Sequence, residues 1–193
     1  MLHRSVLSRI KRQRSALIST SKAYRMVSHA ALCVLTGTMP IHIRAQWRGK
    51  IYVVRKKPAR PDLGDSEAFL NQLHLYDQET AEEWRREWVR SNTNNWTRRL
   101  IEDAAIFRKR KRSMDHYTMQ LLTGYGIFNT YRVRINKETV DKCRDCVACP
   151  NDAEHALLRS PRWADQRTIL ENVVGDTLTM NNIIVLVSAD DHT

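Results

Sequence analysis

The sequence predicts an all-α protein, a small irregular helical bundle carrying a zinc-knuckle-like loop. Apolar residues recur every three or four positions through most of the chain, the period of helices packed along one face. Glycine and proline number only 6 and 5 in 193 residues, and 42% of the chain is hydrophobic, which excludes a disordered tail or a collagen-like fibre and supplies a core. Cys143, Cys146 and Cys149 fall within seven residues, with His155 close behind, and predict the loop.

The first element spans residues 2–18, where Leu2, Val6, Ile10, Arg14 and Leu17 form a narrow apolar stripe on a basic helix. Ser21 to Leu35 reads as a second helix, ended by Gly37 and Pro40. Ile41 to Val54 follows through Ile43, Trp47, Ile51 and Val54. Periodicity then stops at Arg60-Pro61-Asp62-Leu63-Gly64-Asp65, so we expect a linker at 61–66. Beyond it, Phe69, Leu73, Tyr76, Thr80, Trp84 and Trp88 trace one stripe of a long helix, with a break expected near Asp77. That spacing matches core packing rather than a ligand platform. Ser91 to Asn95 is a turn cluster, Trp96 to Phe107 another amphipathic helix, and Tyr117 to Leu122 a short one capped by Gly124. Helices are expected again over 153–158 and 163–174. Ile183 to Val187 suits a strand by its β-branched content and a helix by its isolation.

Net charge is +11, and its distribution is lopsided. The first acidic residue is Asp62, and 14 of the 32 Lys and Arg residues precede it, leaving 18 against 21 acids in the remainder. A second focus is Arg108-Lys109-Arg110-Lys111-Arg112. Acid-free basic blocks attract a polyanion through release of condensed counterions, so RNA, DNA or both are the expected partners. Candidate contacts are Arg4, Arg9, Lys11, Arg12 and Arg14, then Arg108 to Arg112. A solvated basic face without a dedicated partner is the plainer reading, and residues 1–20 also fit a mitochondrial presequence in composition. No apolar run approaches the roughly 18 residues of a membrane span, and a nuclear or cytoplasmic, non-secreted protein is expected.

Two cysteines separated by two residues can grip one tetrahedral Zn²⁺, and His155 can return from a helix start as a third ligand. A fourth is expected near residue 160, which is Ser; Cys149 is the spare thiol. Three outcomes stay open: a site of Cys143, Cys146, Cys149 and His155, a three-ligand site, or free thiols. Cys33, in an apolar run, reads as a buried small hydrophobe. The remaining histidines lack partners at ligand spacing and read as surface or capping residues. No phosphate-binding glycine loop, serine elbow or HExxH helix is present. Asp190-Asp191 lacks the third carboxylate that Mg²⁺-dependent phosphoryl transfer would require.

Three segments together carry a resemblance. They are SKAYRMVSHAALCVLTGTMPIHI (21–43), WRREWVRSNTNNWTRRLI (84–101), and the run from LLTGYGIFNTY (121–131) through the cysteines to EHALLRSPRWADQR (154–167). In this order they resemble the C-terminal region of reverse transcriptases from non-LTR retrotransposons of the type-1, jockey-like and I-like groups. The resemblance implies that Cys143, Cys146 and His155 stand at the first three zinc positions. Ser160 stands where the family has Cys, and Tyr125 where it usually has His. It implies a thumb-side segment at 1–60, a helical region at 67–135, a degenerate Cys/His motif at 136–167 and a helical tail at 168–193. The thumb-side helices would lean on a polymerase palm, the palm and its Mg²⁺ would lie upstream of residue 1, and this chain would not be an enzyme by itself. A degenerate remnant, or a nuclear interaction protein recruited by the host, is the alternative reading.

Overall fold

The computed structural model describes residues 4–56, 65–91, 95–104, 107, 115–146 and 150–187. Among these residues all the regular elements are helical, as expected; the one extended feature is an isolated antiparallel bridge between Lys142 and Pro150.

Helix α1 (Arg4–Ser21) ends where Lys22 takes a left-handed backbone conformation, φ +54°. The expected second helix therefore begins later than the stripe suggests, at α2 (His29–Leu35). Ser28 fixes that start, its hydroxyl accepting from the Ala31 N–H. The intervening loop is held by Arg14, which donates to the carbonyls of Arg25 and Val27. Gln13 performs a similar task for α3 (Ile41–Lys56): its amide nitrogen donates to Met39 O at 2.9 Å, and its oxygen accepts the Ile41 N–H at 2.8 Å.

Helix α4 (Asp65–Arg90) opens inside the expected linker, whose residues 61–64 lie outside those described, and it runs unbroken past Asp77. It lies antiparallel against α3. His42 meets Glu87 at 2.7 Å near one end, while Trp47 Nε1 donates to Asp77 at 2.7 Å and Lys50 meets Glu79 at 2.5 Å toward the other. Asp77, far from breaking the helix, receives the indole N–H. Thr80, Trp84 and Trp88 of the predicted stripe are buried, with Phe69, Leu73 and Tyr76 half-buried.

Helix α5 (Asn95–Leu100) is shorter than its periodicity predicts, because the Ile101 carbonyl accepts from Trp88 Nε1. Leu100, Ile101, Ala104 and Phe107 are buried nonetheless. Helix α6 (His116–Thr123) begins with Asp115 capping the Thr118 N–H and ends at Gly124 with φ +68°. Its terminal carbonyls are satisfied from outside, Leu121 O by Trp96 Nε1 and Leu122 O by the Thr97 hydroxyl. Then follow α7 (Asn129–Arg134), α8 (Ala153–Leu158), a 3-10 turn at Pro161–Trp163, α9 (Ala164–Val174) and α10 (Met180–Val187). The last is a helix, which resolves the strand-or-helix ambiguity. One cluster of buried residues runs from Leu17 and Val27 through Leu32, Trp84, Ile101 and Leu122 to Ile183, so residues on both sides of the 57–64 segment share a core.

Candidate functional site

The Cys/His loop is stitched to α7 before any metal is considered. Asn129 Nδ2 donates to Lys142 O at 3.0 Å, and the Thr130 N–H donates to Asn151 O at 3.1 Å. The Lys142–Pro150 bridge closes the loop on itself. Asp152 then caps α8 by accepting the His155 N–H at 2.7 Å, which sets His155 in the first helical turn, facing back to the cysteines.

Cys143, Cys146 and His155 converge, their ligand atoms all lying within 4.8 Å of one another. Cys143 and His155 are buried and Cys146 is half-buried. The Cys146 Sγ to His155 Nε2 distance is 3.5 Å. Zinc–sulfur and zinc–nitrogen bonds meeting at a tetrahedral angle place such a pair about 3.6 Å apart, so the donors fit the ion chemically and in spacing. Two features depart from a closed site. The other ring nitrogen of His155, Nδ1, is buried with no hydrogen-bond partner among the described residues, where ligating histidines usually donate to one. Ser160, which stands where a fourth ligand is expected, is buried and donates its N–H to the His155 carbonyl at 2.8 Å. Cys149 lies outside the described residues. Among those described, this is the only convergence of three Cys, His, Asp or Glu side chains suited to a metal.

The basic residues separate into two kinds. Arg4, Arg9, Lys11 and Arg12 are exposed along α1, and Arg44, Arg48, Lys50, Arg55 and Lys56 are exposed on α3. Arg14, also expected as a phosphate contact, is half-buried and donates to the carbonyls of Arg25 and Val27. Arg108 to Arg112 lie outside the described residues. Further along, Arg99 meets Glu154 at 2.5 Å, and this hydrogen bond holds the Glu154 carboxyl below the usual carboxylate range. Cys33 is fully buried, 3.4 Å from His29 Nε2, and burial pushes its thiol far up from its ordinary value. It behaves as the core residue its neighbours predict. His29 and His42 are half-buried with polar partners, which a sequence without contacts could not reveal. Among the described residues no helix is long and apolar enough to cross a membrane.

Over 193 aligned residues the chain is 29% identical to "Retrovirus-related Pol polyprotein from type-1 retrotransposable element R1 4" of Nasonia vitripennis, covering 92% of the chain and 47% of that protein. Over 167 residues it is 28% identical to the corresponding polyprotein of element R1 2 from the same organism, covering 81% of the chain and 40% of the relative. The chain thus spans less than half the length of the curated relatives it matches. No protein-family profile matches it, and no solved structure does.

Proposed function

We propose that this chain, a segment related to the Pol polyproteins of non-LTR retrotransposons, works as a nucleic-acid-binding part of such a protein rather than as its polymerase. The observation that carries the reading is the acid-free surface of α1 and α3, nine exposed Lys and Arg side chains on helices packed into the same core that reaches the Cys/His region. The cations of these helices attract phosphates, Lys50 alone among the nine being drawn to a carboxylate of the described residues, Glu79 of α4. RNA or DNA of the element or its target is the partner, and the polymerase core of a full-length protein is a second one.

Cys143, Cys146 and His155 would hold a zinc ion, with Cys149 as the candidate fourth donor. Bound there, zinc would staple the 141–155 loop to the start of α8 and supply no reaction chemistry. The RNA-directed DNA polymerase activity of a full-length element would lie in a part of such a protein outside this chain.

Binding of RNA and duplex DNA across about 50 to 200 mM salt tests the proposal. Each phosphate contact should contribute a slope of roughly 0.7 to 0.9 in log affinity against log salt. A salt-independent affinity, or none, would overturn it. Primer extension with the purified chain and Mg²⁺ should give no product. Ser160 favours a second reading, a degenerate copy with a weakened knuckle; stability unaffected by zinc or chelator would support that one.

A further inference from the structure

A cavity of about 280 Å³ lies beside the Cys/His loop, bounded by α5, the α6–α7 turn, α7 and the start of α8. Its aromatic walls are held in place by hydrogen bonds and ring contacts. The Trp96 indole is anchored by its N–H to Leu121 O at 2.7 Å. It packs so close over Gly124 that a Cβ there would come within 3.2 Å of the ring. Tyr131 is buried, its ring centre 5.7 Å from that of Tyr24 and 5.0 Å from that of Tyr125. The guanidinium of exposed Arg134 covers both rings, 4.9 Å from the centre of Tyr125 and 5.4 Å from that of Tyr131. Asp152 and Glu154 complete the lining, the latter clamped by Arg99 and by Arg159 at 2.8 Å.

We propose that this cavity takes one unpaired nucleobase from a single-stranded nucleic acid. Tyrosine rings with a guanidinium beside them offer stacking and cation–π contacts to a flat π-system, and such contacts tolerate any base. Every unpaired base also carries at least one N–H donor on its pairing edge, which a carboxylate accepts. An aliphatic chain would leave the charged lining of Arg99, Arg134, Asp152 and Glu154 without a polar partner in the ligand. A duplex hides the base face and the pairing edge together, so the cavity discriminates strandedness while the α1 and α3 surface supplies general attraction. The inference rests on the nucleic-acid reading above and adds to it a separate contact with a separate chemistry.

The test compares the full chain and its variants on single strands on the order of 12 nucleotides and on duplexes of equal length, at fixed salt. Tyr125→Ala and Arg134→Lys are chosen because the first removes a ring and the second keeps the charge but loses the planar guanidinium. Each should weaken single-strand binding roughly tenfold, with duplex affinity unchanged, and Tyr125→Phe should restore what Tyr125→Ala loses. Circular-dichroism melts of each variant confirm the fold is retained, and Arg134→Lys, at an exposed position, keeps the test standing if Tyr125→Ala does not fold. Unchanged single-strand binding, or equal losses on both substrates, overturns the cavity proposal while salt-dependent binding by the parent chain still upholds the basic surface. Binding of neither substrate by the parent chain overturns both.

Discussion

The indole N–H of Trp88 donates to the carbonyl of Ile101 at 2.7 Å, and both residues are only 2% exposed. The bond ties the end of the longest helix to the point where α5 stops. It gives a carbonyl in the core a donor and fixes the direction of the chain as it leaves α5.

Trp88→Phe keeps an aromatic ring but removes that donor and leaves a small void. A loss of about 2 to 3 kcal/mol is expected in denaturant unfolding, combining the lost hydrogen bond with the lost packing. A loss below half a kcal/mol would mean that the bond does not hold this junction.

Arg14 and Arg12 should part company. Arg14→Ala removes both donors to the 22–28 loop and should cost about 1 to 2 kcal/mol of stability. Arg12→Ala, at an exposed position, should leave the unfolding midpoint in place and lower the salt slope of nucleic-acid binding by about 0.7 to 0.9. The reverse pattern would show that the two roles have been exchanged.

Ser160→Cys supplies a thiol at the position where the resembling family has its fourth ligand. Zinc affinity, measured by competition with a chromophoric chelator, should rise by at least about tenfold, and His155→Ala should lower it by a similar factor. An unchanged affinity on adding the thiol would indicate that residue 160 does not reach the metal.

Asp115 sets an acid limit on α6. Its carboxyl lies below its ordinary value chiefly because it accepts the Thr118 N–H, so the folded state favours the charged form. The stabilisation is therefore fully present above the unfolded pKa and disappears as pH falls through the lower folded value. Asp115→Ala should cost about 1 kcal/mol at neutral pH, whereas Asp115→Asn should keep most of the cap and flatten the acid side of the stability profile. Thermal melts from neutral to acid pH check both.

Local chemistry made much of this fold legible. The apolar stripe of α4, the glycine ending α6 and the burial of Cys33 all follow from spacing and neighbours. The approach of His155 to Cys143 and Cys146 was equally readable, since a helix cap at Asp152 delivers it. Other features depended on distant partners. Periodicity carries straight through Ser21 to Leu35, and only the left-handed Lys22 and the Ser28 cap break it. Likewise, the stripe from Trp96 continues to Phe107, but the Trp88 indole captures the carbonyl at Ile101. Charge alone could not show that Arg14 donates to main-chain oxygens eleven and thirteen residues ahead. The gathering of Tyr24, Tyr125 and Tyr131 has no one-dimensional trace, because the first is about a hundred positions from the others.

Because residues before position 57 and after position 64 contribute to a single buried cluster, a protease nick between them need not release two pieces. Leu32 and Trp84 would still be hidden from water by one another's neighbours, and the cut halves should migrate together until denaturant is added. Separately produced halves would then be expected to recognise each other, a reassembly driven by the same apolar surface that folds the intact chain.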